Sequence, residues 1–218
     1  MDKKTEFYTI RDSSTAEIIE KKSRFIANAY HVDSREEAEN KINELKKKYF
    51  DAKHNCFAFS IIDENDNLLE KSSDDGEPSG TAGAPILNVI RKNNLHNILI
   101  VVTRYFGGIL LGTGGLTRVY SSSTEMCIQN SKLICQSKGY CVEVEINYSD
   151  NEKFKYYCEK NNIKIVDSQY SESILYKIEI NDEEYQELIK KNSADNKKIT
   201  FNIKSYKRLC RKFVEKAI

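Results

Sequence analysis

The sequence predicts two successive α+β domains, and three observations carry that reading. Strand-like and helix-like stretches mix over the first 135 residues without a regular βα alternation. Residues 136–218 instead follow the order βαββαβ, the split unit of ferredoxin-like domains. Finally, all but one of the 9 glycines and both prolines lie between Gly76 and Gly115, so the unusual backbone is concentrated in one place. A chain of 218 residues is long for one small domain and comfortable for two. The predicted domains are 1–135 and 136–218, with Gly139 marking the linker.

In chain order, Thr15–His31 reads as extended, with a turn near Lys21-Lys22. Ser34-Arg35-Glu36-Glu37 opens a helix as a capping box, and Ala38, Ile42, Leu45 and Tyr49 follow at helical spacing. His54–Asp63 alternates around Phe57, Phe59 and Ile61, and a polar turn leads to a short strand, Leu68–Ser72. Pro85 sits near a helix start that turns Ile86, Val89 and Ile90 inward. Ile98–Phe106 is apolar on both parities, the mark of a central strand covered on both faces. Leu116, Val119, Tyr120, Ser123 and Cys127 then form a helical stripe. In the second domain Tyr140–Ile146 alternates cleanly. A helix through Phe154 and Cys158, strands Ile163–Ser168 and Ile174–Ile180, a helix through Tyr185 and Leu188, and a last strand at Ile199, Phe201 and Ile203 complete the unit.

Composition narrows the function classes. With 34 basic and 33 acidic residues the net charge is +1, so no global field recruits nucleic acid or membrane. No apolar run reaches the roughly 20 residues that span a bilayer, and no apolar stretch follows the N-terminal lysines as in a signal peptide. The 6 cysteines are scattered without a C-x-x-C pair and read as reduced thiols, several of them buried, of a cytoplasmic protein.

The glycine window holds two strings. In the second, a buried strand ends in Arg104-Tyr105-Phe106, then come Gly107-Gly108 and Gly112-Thr113-Gly114-Gly115 at a helix start, with Arg118 in its first turns. Free N–H groups and partial positive charge at a helix entry suit an anion. Arg104, Tyr105, Gly107, Gly108, Gly112, Thr113, Gly114, Gly115 and Arg118 are therefore the candidate ligand surface. It is neither a Walker loop nor a dinucleotide fingerprint. The first string groups Asp74, Asp75 and Glu77 about Gly76. These carboxylates are expected to cap backbone N–H groups or pair with Arg104 or Arg118 and so complete that surface, rather than hold a metal. His54-x-Cys56 is too small a set for a metal site, and Ser121–Ser123 lack a nucleophile elbow. No catalytic residue, metal or cofactor is predicted. Lys204, Lys207, Arg208, Arg211 and Lys212, interleaved with aromatics, are a second candidate for nucleic-acid contact.

These blocks together resemble the IMPACT/YigZ family. The matching stretches are Lys21-Lys22-Ser23-Arg24-Phe25-Ile26, Asp51–Cys56, Ser73–Gly83 with Pro85, and Val101–Tyr120. The resemblance implies an N-terminal left-handed βαβ domain like elongation factor G domain IV and a small-subunit ribosomal protein, and a C-terminal domain like domain V of that factor. It also implies a link to translation, since eukaryotic relatives are translational regulators. Those relatives carry an extra N-terminal protein-binding domain, and since this sequence starts almost at the family core their partnership is not expected to carry over. The expected function is a translation-linked regulator binding RNA, the ribosome or another anionic partner, a translation-associated protein among them. The alternative is an enzyme or sensor of a nucleotide or phosphorylated metabolite using the same cleft.

Overall fold

A computed structural model describes residues 6–63, 65–192 and 201–215, and the chain divides into two compact units, Met1–Ile134 and Cys135–Ile218. The first unit contains β1 (Glu6–Ile10), β2 (Ser14–Glu20), β3 (Ser23–His31), α1 (Arg35–Lys48), β4 (His54–Ile62), β5 (Leu68–Ser73), α2 (Gly83–Lys92), β6 (Ile98–Tyr105) and α3 (Gly112–Gln129). The capping box forms as expected: the Ser34 hydroxyl accepts from the Glu37 N–H at 3.1 Å, and Glu37 in turn accepts from the Asp33 N–H.

The main sheet runs in the order β2-β3-β6-β4-β5, every neighbouring pair antiparallel. Strands β3 and β4 both flank β6, so they are parallel to each other and α1 crosses between them. The segment β5-α2-β6 repeats that arrangement. Side-chain parity explains why the sheet is covered twice. Leu99 and Val101 of β6, with Phe57 and Phe59 of β4, pack under Ala38, Ile42 and Leu45 of α1. The alternate residues Ile98, Ile100, Val102, Cys56 and Ala58 pack with Ile86 and Ile90 of α2 and Leu116, Val119 and Tyr120 of α3.

Two segments press directly on one another beside β6. Glu20 pairs with Ser23, so Lys21-Lys22 is a two-residue hairpin loop, and both lysines take positive φ, 46° and 65°. Such turns favour Asn-Gly, because L side chains resist this backbone at about 1–2 kcal/mol each. Gly107 packs on that turn so closely that a Cβ there would stand 2.0 Å from the Lys22 carbonyl carbon. The Gly107 N–H donates to the Ser23 hydroxyl at 3.1 Å.

The second unit is built from β7 (Leu133–Ile146), α4 (Asn151–Lys160), β8 (Lys164–Tyr170), β9 (Ile174–Asn181), α5 (Asp182–Asn192) and β10 (Ile203–Glu215), in the predicted βαββαβ order. Its strands are ordered β10-β7-β9-β8, all antiparallel. Val142, Val144, Ile146, Phe154, Ile178, Leu188 and Phe201 form its core. Two expectations differ from the structure. Gly139 lies inside β7, where a Cβ would collide with the Ile180 carbonyl oxygen at 2.3 Å, so close strand packing explains it and not a linker. The last strand begins at Ile203, with the basic run inside it. Two of its charges, Lys204 and Lys212, meet carboxylates of the sheet, so a run this basic is compatible with a strand. Ile199 lies outside the described residues.

Candidate functional site

The glycine window folds into one end of the first unit, where β6 leads through Phe106–Leu111 into α3. Arg104, the last fully inward residue of β6, is not a free cation. Its Nη1 donates to Glu77 Oε1 at 2.6 Å, and the two side chains are 6% and 3% exposed. The Tyr120 hydroxyl donates to the same carboxylate oxygen at 2.9 Å. The guanidinium lies between the rings of Phe25 and Phe106, 5.3 and 5.5 Å from their centroids. Its Nη2 reaches Ser23 Oγ only at 3.5 Å, and Nε is buried without a partner. Beside Tyr120, the Cys56 thiol donates to the Asp74 carbonyl at 2.9 Å, and burial pushes its pKa up to about 12. This thiol is no nucleophile.

The three carboxylates of the first string part company. Asp74 accepts from the Gly80, Ala82 and Gly83 N–H groups at 2.8, 3.0 and 2.8 Å, closing the α2 entry that Ala82 cannot cap. Burial raises its pKa, but those backbone donors prevail and the net shift is downward. Asp75 takes Lys46 at 2.7 Å and the Asn55 N–H at 2.7 Å. Glu77 holds Arg104. Among the described residues no group of three His, Cys, Asp or Glu side chains could hold a metal. Each of the three carboxylates is engaged by backbone N–H groups or by a cation of the same unit.

Two cavities flank the helix entry, each of about 380 Å³, and Leu111 lines both. One is walled by Phe106, Leu110, Leu111, Leu116 and Pro78, with Lys53, His54, Glu77, Arg104, Gly112 and Thr113 completing it. The other is lined by Lys21, Arg118, Gly115, Ser122 and Glu20 among others. The two predicted arginines therefore serve different cavities: Arg104 is neutralised in the wall of the first, and Arg118 is exposed on the second. Lys21, Lys22, Lys53 and Arg118 have no ion-pair or hydrogen-bond partner among the described residues. Tyr105 is turned away to Asp51, its hydroxyl donating at 2.7 Å.

The glycines divide by cause. Gly108 and Gly112 take φ of +85° and +72°, and Gly107 is fixed by contact. Gly114 has neither reason: its φ is helical and nothing lies within 4 Å of the position a Cβ would take. Thr113 is exposed beside it, and no side chain caps the helix.

The second basic candidate is largely paired within its own sheet. Lys212 reaches Glu179 at 2.6 Å, Lys204 lies 3.9 Å from Glu145, and Arg208 stacks 4.9 Å from the Tyr140 ring centroid. Lys207 is exposed, and the Arg211 side chain lies outside the described residues. Sequence reasoning missed Lys53 and Phe106 as cavity residues. The position of Phe106, an aromatic caught between Arg104 and Gly107-Gly108, is the signal that could have found it.

Comparisons with known proteins follow this geometry. The family description "Impact N-terminal domain" matches residues 21–128, which contain the Phe106 cavity and most of the lining of the other, and a domain of unknown function, DUF1949, matches residues 144–191. The IMPACT family member YvyE of Bacillus subtilis is 35% identical over 178 residues, covering 82% of this chain and 81% of that protein. The Escherichia coli member YigZ is 34% identical over 160 residues, 72% and 78% of the two chains. A crystal structure of a hypothetical protein matches 94% of this chain and 97% of its own at a TM-score of 0.61 and 26% identity. The chain belongs to the IMPACT family.

Proposed function

We propose that this protein is a translation-linked regulator that binds RNA through the cationic surface beside the α3 entry. The observation that carries the reading is the grouping of unpaired cations. Lys21 and Arg118 line one cavity against a single carboxylate, Glu20, and Lys22 adjoins them on a strained turn. Strain held at a surface turn by packing from below favours a functional role over a structural one. Cations without protein partners are available to phosphates, whereas Arg104 is already neutralised. The link to translation rests on the family resemblance. The five basic residues of β10 contribute less, since three of them have partners within the sheet.

The test is binding of a labelled RNA oligonucleotide across a salt series, with sedimentation against ribosomes in parallel. Binding should weaken steeply with salt, and the Lys21→Ala, Lys22→Ala, Arg118→Ala triple variant should flatten the log–log slope by about 0.7 for each phosphate it no longer neutralises. Absence of RNA and ribosome binding at low salt would overturn the reading. A nucleotide or phosphorylated metabolite that stabilises the protein, with no RNA binding, would replace it with the sensor alternative.

A further inference from the structure

We infer that the apolar cavity beside Phe106 receives one unpaired base of a single-stranded RNA, while the adjoining cationic cavity holds its phosphates. This rests on the RNA reading above and names the form of RNA. Three features of the cavity argue for it. Phe106 is 51% exposed although its ring lies over a buried guanidinium, so one side is braced and the other is presented. The brace is rigid, because Arg104 is held by Glu77 and Glu77 by Tyr120. An aromatic presented in this way is a stacking platform for any base.

The second feature is His54. It lines the same cavity, is only 8% exposed, and its Nδ1–H donates to the Asp75 carbonyl at 2.9 Å. In the neutral imidazole that bond puts the proton on Nδ1 and leaves Nε2, which has no partner among the described residues, as an acceptor for a base amino or imino group. The third is charge: Lys53 on this cavity and Lys21 and Arg118 on the next are all unpaired among the described residues, and Leu111 lines both sites. A flat apolar body with a polar edge, joined to an anion, is a nucleotide. A base in a duplex is stacked and paired and could not enter.

The experiment measures anisotropy of a labelled single-stranded RNA and a blunt-ended RNA duplex with wild type, Phe106→Ala, Phe106→Leu and the cation triple variant. Both Phe106 variants should weaken single-strand binding by about 5- to 150-fold, the range for removal of one stacked base, and leave the salt slope unchanged. Phe106→Trp should retain binding, which separates stacking from folding. Single-strand binding equal to wild type in Phe106→Leu, with the triple variant still defective, would overturn the base site and leave the phosphate reading standing. Preference for the duplex would also overturn it. If wild type binds neither RNA, the parent reading falls and this one with it.

A different observation carries a second proposal: Cys141 and Cys210 form a redox-sensitive pair across the β7–β10 ladder. They are direct partners in the antiparallel register, so their side chains share a face, Cys141 buried and Cys210 exposed. Directly opposed Cβ atoms lie about 4.5–5.5 Å apart, and a disulfide needs about 3.5–4.5 Å. The bulge between Arg208 and Cys210 gives the strand slack to close that gap. With a hydroperoxide as oxidant, the Cys210 thiolate attacks oxygen to give a sulfenic acid and release water or alcohol. Cys141 sulfur then displaces the hydroxyl as a second water, and the two sulfurs have supplied the two electrons. Treated protein should lose two hydrogens by intact mass, reversibly with dithiothreitol, and a Cys141–Cys210 linked peptide should appear. Both should vanish in Cys210→Ser and in Cys141→Ser. A cross-link that persists in Cys210→Ser, or sulfinic acid at Cys210 without a cross-link, would overturn the pairing.

Discussion

Replacing Glu77 by Gln removes the charge that balances Arg104 while keeping the shape of the site. The guanidinium then remains 6% exposed with a buried, unpartnered Nε and one long hydrogen bond to Ser23. Orphaning one member of a buried pair costs about 3–5 kcal/mol. A Gln carbonyl can still accept from Arg104 and Tyr120, and neutral hydrogen bonds return about 1 kcal/mol. The rings of Phe25 and Phe106 stay in place and do not change the difference. Glu77→Gln should therefore destabilise the first unit by about 2–4 kcal/mol, and Arg104→Met by a similar amount because it strands the carboxylate. The combined Glu77→Leu, Arg104→Met variant should cost less than the sum of the singles, since no lone charge remains. Urea titration followed by circular dichroism, with each unit fitted to its own transition, measures all of these. Singles within about 1 kcal/mol of wild type, or a double variant equal to their sum, would refute the account of Arg104 as a structural, internally neutralised cation.

Further outcomes follow from the same geometry. Gly114→Ala should stabilise the protein by up to ~1 kcal/mol, because the site is helical and open, yet weaken RNA binding if the ligand crosses that surface; thermal melts and anisotropy read the two effects separately. Gly107→Ala, by contrast, should cost several kcal/mol by melts, since its Cβ would meet Lys22 backbone. Replacing Lys21-Lys22 with Asn-Gly should relieve left-handed strain and stabilise by about 1–2 kcal/mol, while reducing RNA affinity by removing two cations. Asp74→Ala should cost about 1–2 kcal/mol and change acid unfolding. The folded-state pKa of Asp74 is depressed, so its contribution is present above the ordinary value of 3.8 and fades as pH falls through the folded value. The variant should show a smaller drop in stability over that acid range, seen in urea midpoints against pH.

The elements of the fold were legible because their patterns are local. Of Ile98–Phe106, apolar on both parities, Ile98–Tyr105 forms a strand buried on both faces as far as Arg104, while Phe106 lies beyond it and exposed, and the Ser34 box forms a cap. The site was legible only in part. The glycines and arginines announce unusual backbone and charge, but which arginine is neutralised depends on Glu77, 27 residues earlier, folding back to meet Arg104. No spacing rule contains that pairing. Likewise the two cavities arise from how Leu111 and Phe106 sit at the end of β6, and periodicity is silent on loop placement. The basic run of β10 reads as a free nucleic-acid contact in the sequence because the partners of Lys204 and Lys212, Glu145 and Glu179, lie on strands distant along the chain.

The double cover of the first unit's sheet restricts how any partner can be met. Many single-strand binders display bases across an open sheet face studded with aromatics. Here β4 is buried at every position and β6 at all but its last, so no broad platform is offered. The RNA binding proposed above would fall on the rim, where strands end and helices begin, and a rim touches few nucleotides at a time. A footprint that small would give brief, readily reversed encounters, suited to sampling many sites on a large partner more than to holding one.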